Sequence, residues 1–190
     1  EKHIPAFQTT PSKSILFSDA FELWIQSIKI RHKQSTYAKY RYIATAHILP
    51  AFGELHIDKI DAALINGFLL KKSENGRLSE DGGLSAAYVR SIMLIIRSVM
   101  FFSANQGYRQ AVPLQLYSPQ IPKKEIYILN HVQQKQLTSY AFNNRCSASV
   151  GVLLALYCGL RMGEVCSLTW SDLDFDKNVL HVRHTLSRII

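Results

Sequence analysis

Apolar residues recur at helical spacing along most of the chain. Phe17, Phe21, Trp24, Ile25 and Ile28 mark a first helix, with Ser18 or Asp19 as its cap and Glu22 in its first turn. A second helix is predicted from Ser35 or Thr36 to about Leu49, where Pro50 and Gly53 stop it. Leu55, Ile57 and Ile60 form a short connection, and a third helix runs roughly from Asp61 to Lys72. The stretch Ser73–Gly83 is rich in Gly, Ser, Asn and acidic residues and reads as a loop. Ser85 then caps a long fourth helix with Val89, Ile92, Met93, Ile96, Val99, Met100 and Ser103 on its inner face, ending at Gly107. The pattern predicts a four-helix unit over residues 17–110, preceded by a linker or arm over residues 1–16 that carries Pro5 and Pro11.

The pattern then changes. Residues 111–128 hold Pro113, Pro119, Pro122 and two adjacent lysines, the composition of an interdomain linker. Residues 129–190 form a second unit. One helix covers about His131–Phe142. Another, about Cys146–Cys158, is apolar almost all round and should be buried. A short helix covers about Met162–Leu168, and the alternation over Val179–Thr185 predicts a strand. A lone strand cannot pair with itself, so this α+β unit is expected to be incomplete, with only the start of a small sheet. The fold class is therefore mainly α, a helical domain followed by the first part of an α+β domain.

Charge adds a partner class. Net charge is +8 and the pI about 9.5, which favours an anionic partner. The longest apolar runs, around Ile92–Phe102 and Val150–Cys158, have the length of core helices, so no membrane partner is expected. Three cysteines without a pairing pattern and the lack of a signal peptide suit a reducing, cytoplasmic setting. No metal or cofactor is expected. Asp172, Asp174 and Asp176 alternate like a calcium loop, but Lys177 stands where Gly is required and Arg183 where Glu is required. Cys158, Cys166, His181 and His184 lack zinc-site spacing, and there is no Walker loop or dinucleotide fingerprint. Trp24 and Trp170 read as core anchors, and His181–His184 as a strand facing DNA or solvent.

The positive charge is not evenly spread. Between Glu22 and Glu54 there is no acidic residue, while Lys29, Arg31, Lys33, Lys39 and Arg41, with His32 and His47, fall in that window beside Ser35, Thr36, Tyr37 and Tyr40. Basic residues beside short hydroxyls at a helix start suit contact with backbone phosphates. Tyr88, Arg90 and Arg97 form a second candidate stripe on the fourth helix. Any one of these residues could equally be a cap, a half-buried ring or part of a solvated face. The window as a whole points to double-stranded DNA.

The segment with the most specific chemistry runs from Tyr157 to Asp174. A buried helix ends at Gly159, Arg161 follows, and Glu164 lies three residues on, within reach across one helical turn. A fixed Arg suits recognition of a tetrahedral anion, because its rigid fork of donors stays charged. On spacing alone, a structural ion pair joining two helices is the stronger reading.

Gly159-Leu-Arg161-Met-Gly-Glu164, followed by Leu168-Thr-Trp170-Ser-Asp172-Leu-Asp174, resembles the first active-site motif of the tyrosine recombinase or phage integrase family. Trp24, Ser35-Thr36, Tyr40, Ile48-Leu-Pro50, Phe52-Gly53 and the Leu84-Ser85 helix start resemble that family's core-binding domain, which has a SAM-like helical fold. The resemblance covers about residues 17–185. It implies a DNA clamp in which a tyrosine attacks a backbone phosphate, forms a 3′-phosphotyrosyl link and is displaced by a second strand, without metal or ATP. Arg161 matches the first of two arginines that stabilise the phosphoryl transition state, and Glu164 the acid that supports the site. The family's lysine, His-x-x-Arg box and nucleophilic tyrosine have no match here, since all nine tyrosines precede Arg161. The resemblance thus implies a recombinase truncated within its catalytic domain, monomeric alone, binding DNA without cutting it, and assembling with further protomers when full-length. Its parent would act in integration or excision of mobile DNA. The absence of an initiating Met permits a preceding arm-binding domain. Two other readings stay open: a non-catalytic DNA-binding regulator derived from a recombinase, and a basic helical module for an acidic protein.

Overall fold

The structure is a computed structural model that describes residues 14–79, 81–123, 125–144 and 146–187. The chain divides after Lys123 into two compact units.

The first unit is helical. Helix α1 (Phe17–Lys29) buries Phe17, Ala20, Phe21, Trp24 and Ile25 on one face. Neither Ser18 nor Asp19 caps it, and Glu22 lies beyond its first turn. The N–H groups of Phe17 and Ser18 instead donate to the carbonyls of Leu55 and Gly53, at 2.8 and 3.1 Å. Residues 15–16 belong to the same junction rather than to a linker: the Ile57 N–H donates to the Ile15 carbonyl, and Leu16 bridges to His56. The rest of the expected arm, residues 1–13, lies outside the described residues.

The second predicted helix is longer than its proline suggested. Helix α2 (Gln34–Ile43) passes into a π-helical turn (Ala44–Ile48) and then α3 (Leu49–Phe52). Pro50 sits in the first turn of α3 and does not end the run. It has no N–H to donate, and the widened π turn ahead of it relieves the ring clash that an unbroken α-helix would impose. A 3-10 turn (Ile57–Lys59) buries Ile57. Asp61 caps α4 (Ala62–Asn75), its Oδ1 accepting from the Leu64 N–H at 2.8 Å. Ser85 caps α5 (Ala86–Asn105) in the same way, accepting from the Tyr88 N–H.

All seven predicted inner-face residues of α5 are buried, together with Ile95. They close one core with Phe17, Phe21, Ile43, Ile48 and Phe52. Helix α5 is long and apolar enough to cross a bilayer, contrary to the expectation from its uninterrupted apolar run, but its apolar side is spent on this core.

The second unit holds α6 (His131–Asn143), α7 (Ser147–Cys158), α8 (Met162–Val165) and an antiparallel pair, β1 (Leu173–Asp174) and β2 (Val179–Leu180). Asn130 and Gln133 form a reciprocal capping box at the start of α6. Helix α7 is not buried as its composition predicted. Of its residues only Ser149 is buried, while Val150 is 56% and Tyr157 62% exposed. Within this unit α7 packs against α6 and α8, and two neighbours cannot surround a helix that is apolar all round. The predicted strand also changes. It is two residues long and has a partner, with Leu173 opposite Leu180 and Asp174 opposite Val179.

Candidate functional site

Arg161 is placed by the end of one helix and the start of the next. Helix α7 stops at Gly159, whose φ of +68° lies in the left-handed region that glycine enters without strain, and whose N–H donates to the Ala155 carbonyl. Two residues on, Arg161 is extended and forms the N-cap of α8. Glu164 holds it twice: Oε2 accepts the Arg161 backbone N–H at 2.9 Å, and Oε1 accepts from Nη1 at 3.1 Å. The backbone N–H first, and the guanidinium second, keep the Glu164 carboxyl below the usual carboxylate range, so it stays ionised. The Arg161 side chain is 87% exposed against 19% for Glu164. Its backbone is fixed by packed structure, whereas its guanidinium is steered by Glu164 and turned outward. That leaves a cation oriented toward solvent with donors beyond the one given to Glu164.

The chain after β2 returns to α8 and fixes this corner. The Leu186 N–H donates to the Gly163 carbonyl at 2.9 Å, and the Ser167 hydroxyl to the His184 carbonyl at 2.7 Å. A Cβ on Gly163 would stand 2.5 Å from the Leu186 carbonyl oxygen and 2.7 Å from Thr185 Oγ1. Asp172 is buried and ties the same segment down. Its Oδ2 accepts from the Thr169 N–H and hydroxyl, and its Oδ1 from Arg183 Nη1 at 3.2 Å. The Thr169 bonds chiefly, with the field of Arg183 added, hold its carboxyl below the usual range. Gly163, Thr169 and Arg183 were not assigned to the site by sequence, although the Leu-x-Trp-x-Asp-x-Asp spacing carried the signal for Asp172. Trp170, expected as a core anchor, is 83% exposed, whereas Trp24 is buried as expected.

In the first unit the basic candidates separate into two kinds. Lys33 is the N-cap of α2, with no side-chain cap bond. Ser35 and Thr36 lie half-buried in the first helical turn, and Lys33 and Lys39 are exposed. Arg90 and Arg97, two turns apart on α5, are exposed as well. The other three also contact neighbouring elements, the two tyrosines half-buried and Arg41 exposed. Arg41 Nη1 donates to Glu22 Oε2 at 3.1 Å and to the Tyr37 hydroxyl at 3.2 Å, which bridges α2 to α1 and keeps Arg41 charged. Tyr40 stacks on Trp24 with ring centroids 5.9 Å apart, and Tyr88 meets His47 edge-on at 5.4 Å. Burial pushes the Tyr88 phenol up.

His47, which the sequence places only among the basic residues of the acid-free window, is a core residue. It lies in the π turn, is 2% exposed, and its Nδ1 has no hydrogen-bond partner among the described residues. Burial, with Lys72 nearby, pushes the imidazole below its usual pKa, so the ring is neutral.

Residues 16–73 match the phage integrase N-terminal SAM-like domain, and residues 120–189 match the phage integrase family. A tyrosine recombinase XerC-like protein of Caldanaerobacter subterraneus subsp. tengcongensis is 22% identical over 185 residues, covering 93% of this chain and 45% of the relative. Among solved structures, the Tn1549 transposon integrase in complex with circular intermediate DNA superposes with a TM-score of 0.70 at 18% identity, covering 87% of this chain and 54% of that one. A lambda integrase tetramer bound to a Holliday junction superposes with a TM-score of 0.65 at 18% identity, covering 85% and 46%. The chain spans about half the length of each of these relatives.

Proposed function

The chain belongs to the tyrosine recombinase, or phage integrase, family, and from that premise we propose that it is the DNA-holding part of a site-specific recombinase, carrying the first arginine of the active site. The observation that carries this reading is the Arg161–Glu164 pair: an outward guanidinium held at backbone and side chain by one carboxylate. Such a group can meet a phosphoryl oxygen without reorganising, which is how fixed donors stabilise charge that grows in a transition state.

In this reading Lys33, Ser35, Thr36 and Lys39 at the start of α2, with Arg90 and Arg97 on α5, contact the phosphates of duplex DNA. Tyr40 and Tyr88 support those elements through their ring contacts, and Arg41, exposed and braced by Glu22, stands beside them. The exposed run from His181 to His184 lies next to the Arg161 corner on the same unit and faces the same partner. The reaction of the complete recombinase is tyrosine attack on a backbone phosphate, with a 3′-phosphotyrosyl intermediate that a second strand resolves. No tyrosine of this chain takes the nucleophile's place, so the 190 residues bind DNA and do not cut it. They act in the cytoplasm, are monomeric alone, and join further protomers only as part of the full recombinase.

The test is to incubate the chain with a nicked duplex that traps covalent intermediates, and to resolve the products under native and denaturing conditions. A native complex with no denaturant-resistant adduct is the expected result. An adduct would overturn the non-cutting assignment, and the absence of any native complex would overturn the DNA-holding role.

A further inference from the structure

A cavity of 880 Å³ opens between the end of α1, the second half of α5 and the run from Arg109 to Leu114, all within the first unit. Its lining contains two arginines, Arg97 and Arg109, and no carboxylate. Arg109 is 8% exposed. Its Nη1 donates to the Met100 sulfur at 3.2 Å and its Nε to the Gln110 carbonyl at 3.3 Å. Neither acceptor carries a charge. The carboxylate whose field reaches Arg109, Asp58, takes a hydrogen bond from Ser14 and forms no ion pair with Arg109 among the described residues. Removing a guanidinium from water is costly, and buried charges in proteins are ordinarily paired. This charge, without an ion-pair partner, faces a cavity whose remaining wall is largely apolar, with Trp24, Leu94, Phe101 and Val112 among its residues. The volume lies within the range of small-ligand sites.

We propose that this cavity binds a small amphipathic anion, a phosphate monoester or carboxylate on an apolar body, with Arg109 as its buried counter-charge and Arg97 closing over it from the rim. The anionic head replaces the weak sulfur acceptor of Arg109 with a charge-assisted bond. The apolar body covers the exposed faces of Leu94 and Phe101, which are 49% and 68% open to solvent. The proposal is carried by Arg109, which is buried and takes no part in the recombinase reading; Arg97 at the rim is the residue that both readings use.

Calorimetric titration of the full chain with phenyl phosphate tests it, with phenol and inorganic phosphate as half-ligands. Saturable one-to-one binding of phenyl phosphate is expected, weaker by at least about tenfold for either half-ligand and for Arg109→Met. Equal binding by Arg109→Met, or no saturable binding to the folded chain, would overturn the proposal. Arg109→Met removes a buried charge that has no ion-pair partner, so its melting temperature without ligand should not fall. Should that variant fail to fold, Arg97→Gln, at an exposed position, should weaken phenyl phosphate several-fold, and an unchanged affinity there would count against the site. Duplex-DNA affinity of Arg109→Met should match the parent. A loss there, with a shallower salt dependence, would assign Arg109 to the DNA surface and overturn the small-ligand site.

Discussion

Glu164 holds Arg161 at two points, accepting its backbone N–H at 2.9 Å and its guanidinium at 3.1 Å. One carboxylate therefore caps α8 and aims the cation that starts the helix. The arrangement separates two roles that a surface ion pair would merge, since exposed pairs contribute little stability by themselves. Arg161→Ala should leave folding intact and weaken duplex DNA, with the slope of log affinity against log salt falling by about one. Glu164→Ala should lower the melting temperature of the second unit, because the α8 cap is lost, and should weaken DNA less than Arg161→Ala. Anisotropy and thermal melts of the two variants check this; equal effects on DNA would mean that Arg161 acts only through its pairing.

Gly163 and Gly67 make opposite predictions for the same substitution. A methyl on Gly163 would meet the Leu186 carbonyl and the Thr185 hydroxyl, whereas a methyl on Gly67, inside α4, meets nothing within 4 Å. Gly163→Ala should break the Leu186–Gly163 hydrogen bond and speed hydrogen exchange at the Leu186 amide. Gly67→Ala should stabilise the first unit by up to about 1 kcal/mol through helix propensity.

His47 sets an acid limit on the first unit. Its imidazole is held below the usual pKa by burial in the native state and regains an ordinary value of about 6.5 on unfolding. The unfolded chain therefore binds a proton that the native chain refuses, and stability falls as the pH drops below about 6.5, until the folded-state pKa is reached. His47→Phe keeps the edge-on contact with Tyr88 and should flatten stability between pH 7 and 5 in denaturant titrations. Glu164, Asp172 and Asp174 act in a lower window. Their carboxyls are depressed by hydrogen bonds, so their contribution is present above about pH 4 and is lost as the pH falls further.

The helices of the first unit were legible because each has one apolar face, and Ser85 marks a real start. Pro50 misled because the π turn before it is invisible to a 3.6-residue period. The cap of α1 was misassigned because its amides are satisfied by carbonyls about 35 residues away, which no local signal reveals. The burial of α7 was overstated because apolar composition records what a helix can cover and not which neighbours are present to cover it. At the site, the spacing of Arg161 and Glu164 gave the pair. The double grip on Arg161 is a local capping box within one turn, whereas the Gly163 crossing depends on the segment that returns after β2, which no local pattern reveals. Arg41 and Tyr40 also bridge α1 and α2, a contact hidden in the sequence because a basic or hydroxyl-bearing side chain reads the same whether it faces a partner or a neighbouring helix.

The central claim is that the chain grips duplex DNA through charges at the start of α2, along α5 and at Arg161. The most direct measurement is its duplex affinity by anisotropy across a range of salt, beside the variant Lys33→Ala, Lys39→Ala, Arg90→Ala. A steep linear fall of log affinity with log salt is expected, with a slope roughly 2 to 3 units shallower in the triple variant. A flat salt response of the parent, or an unchanged slope in the variant, would contradict the account.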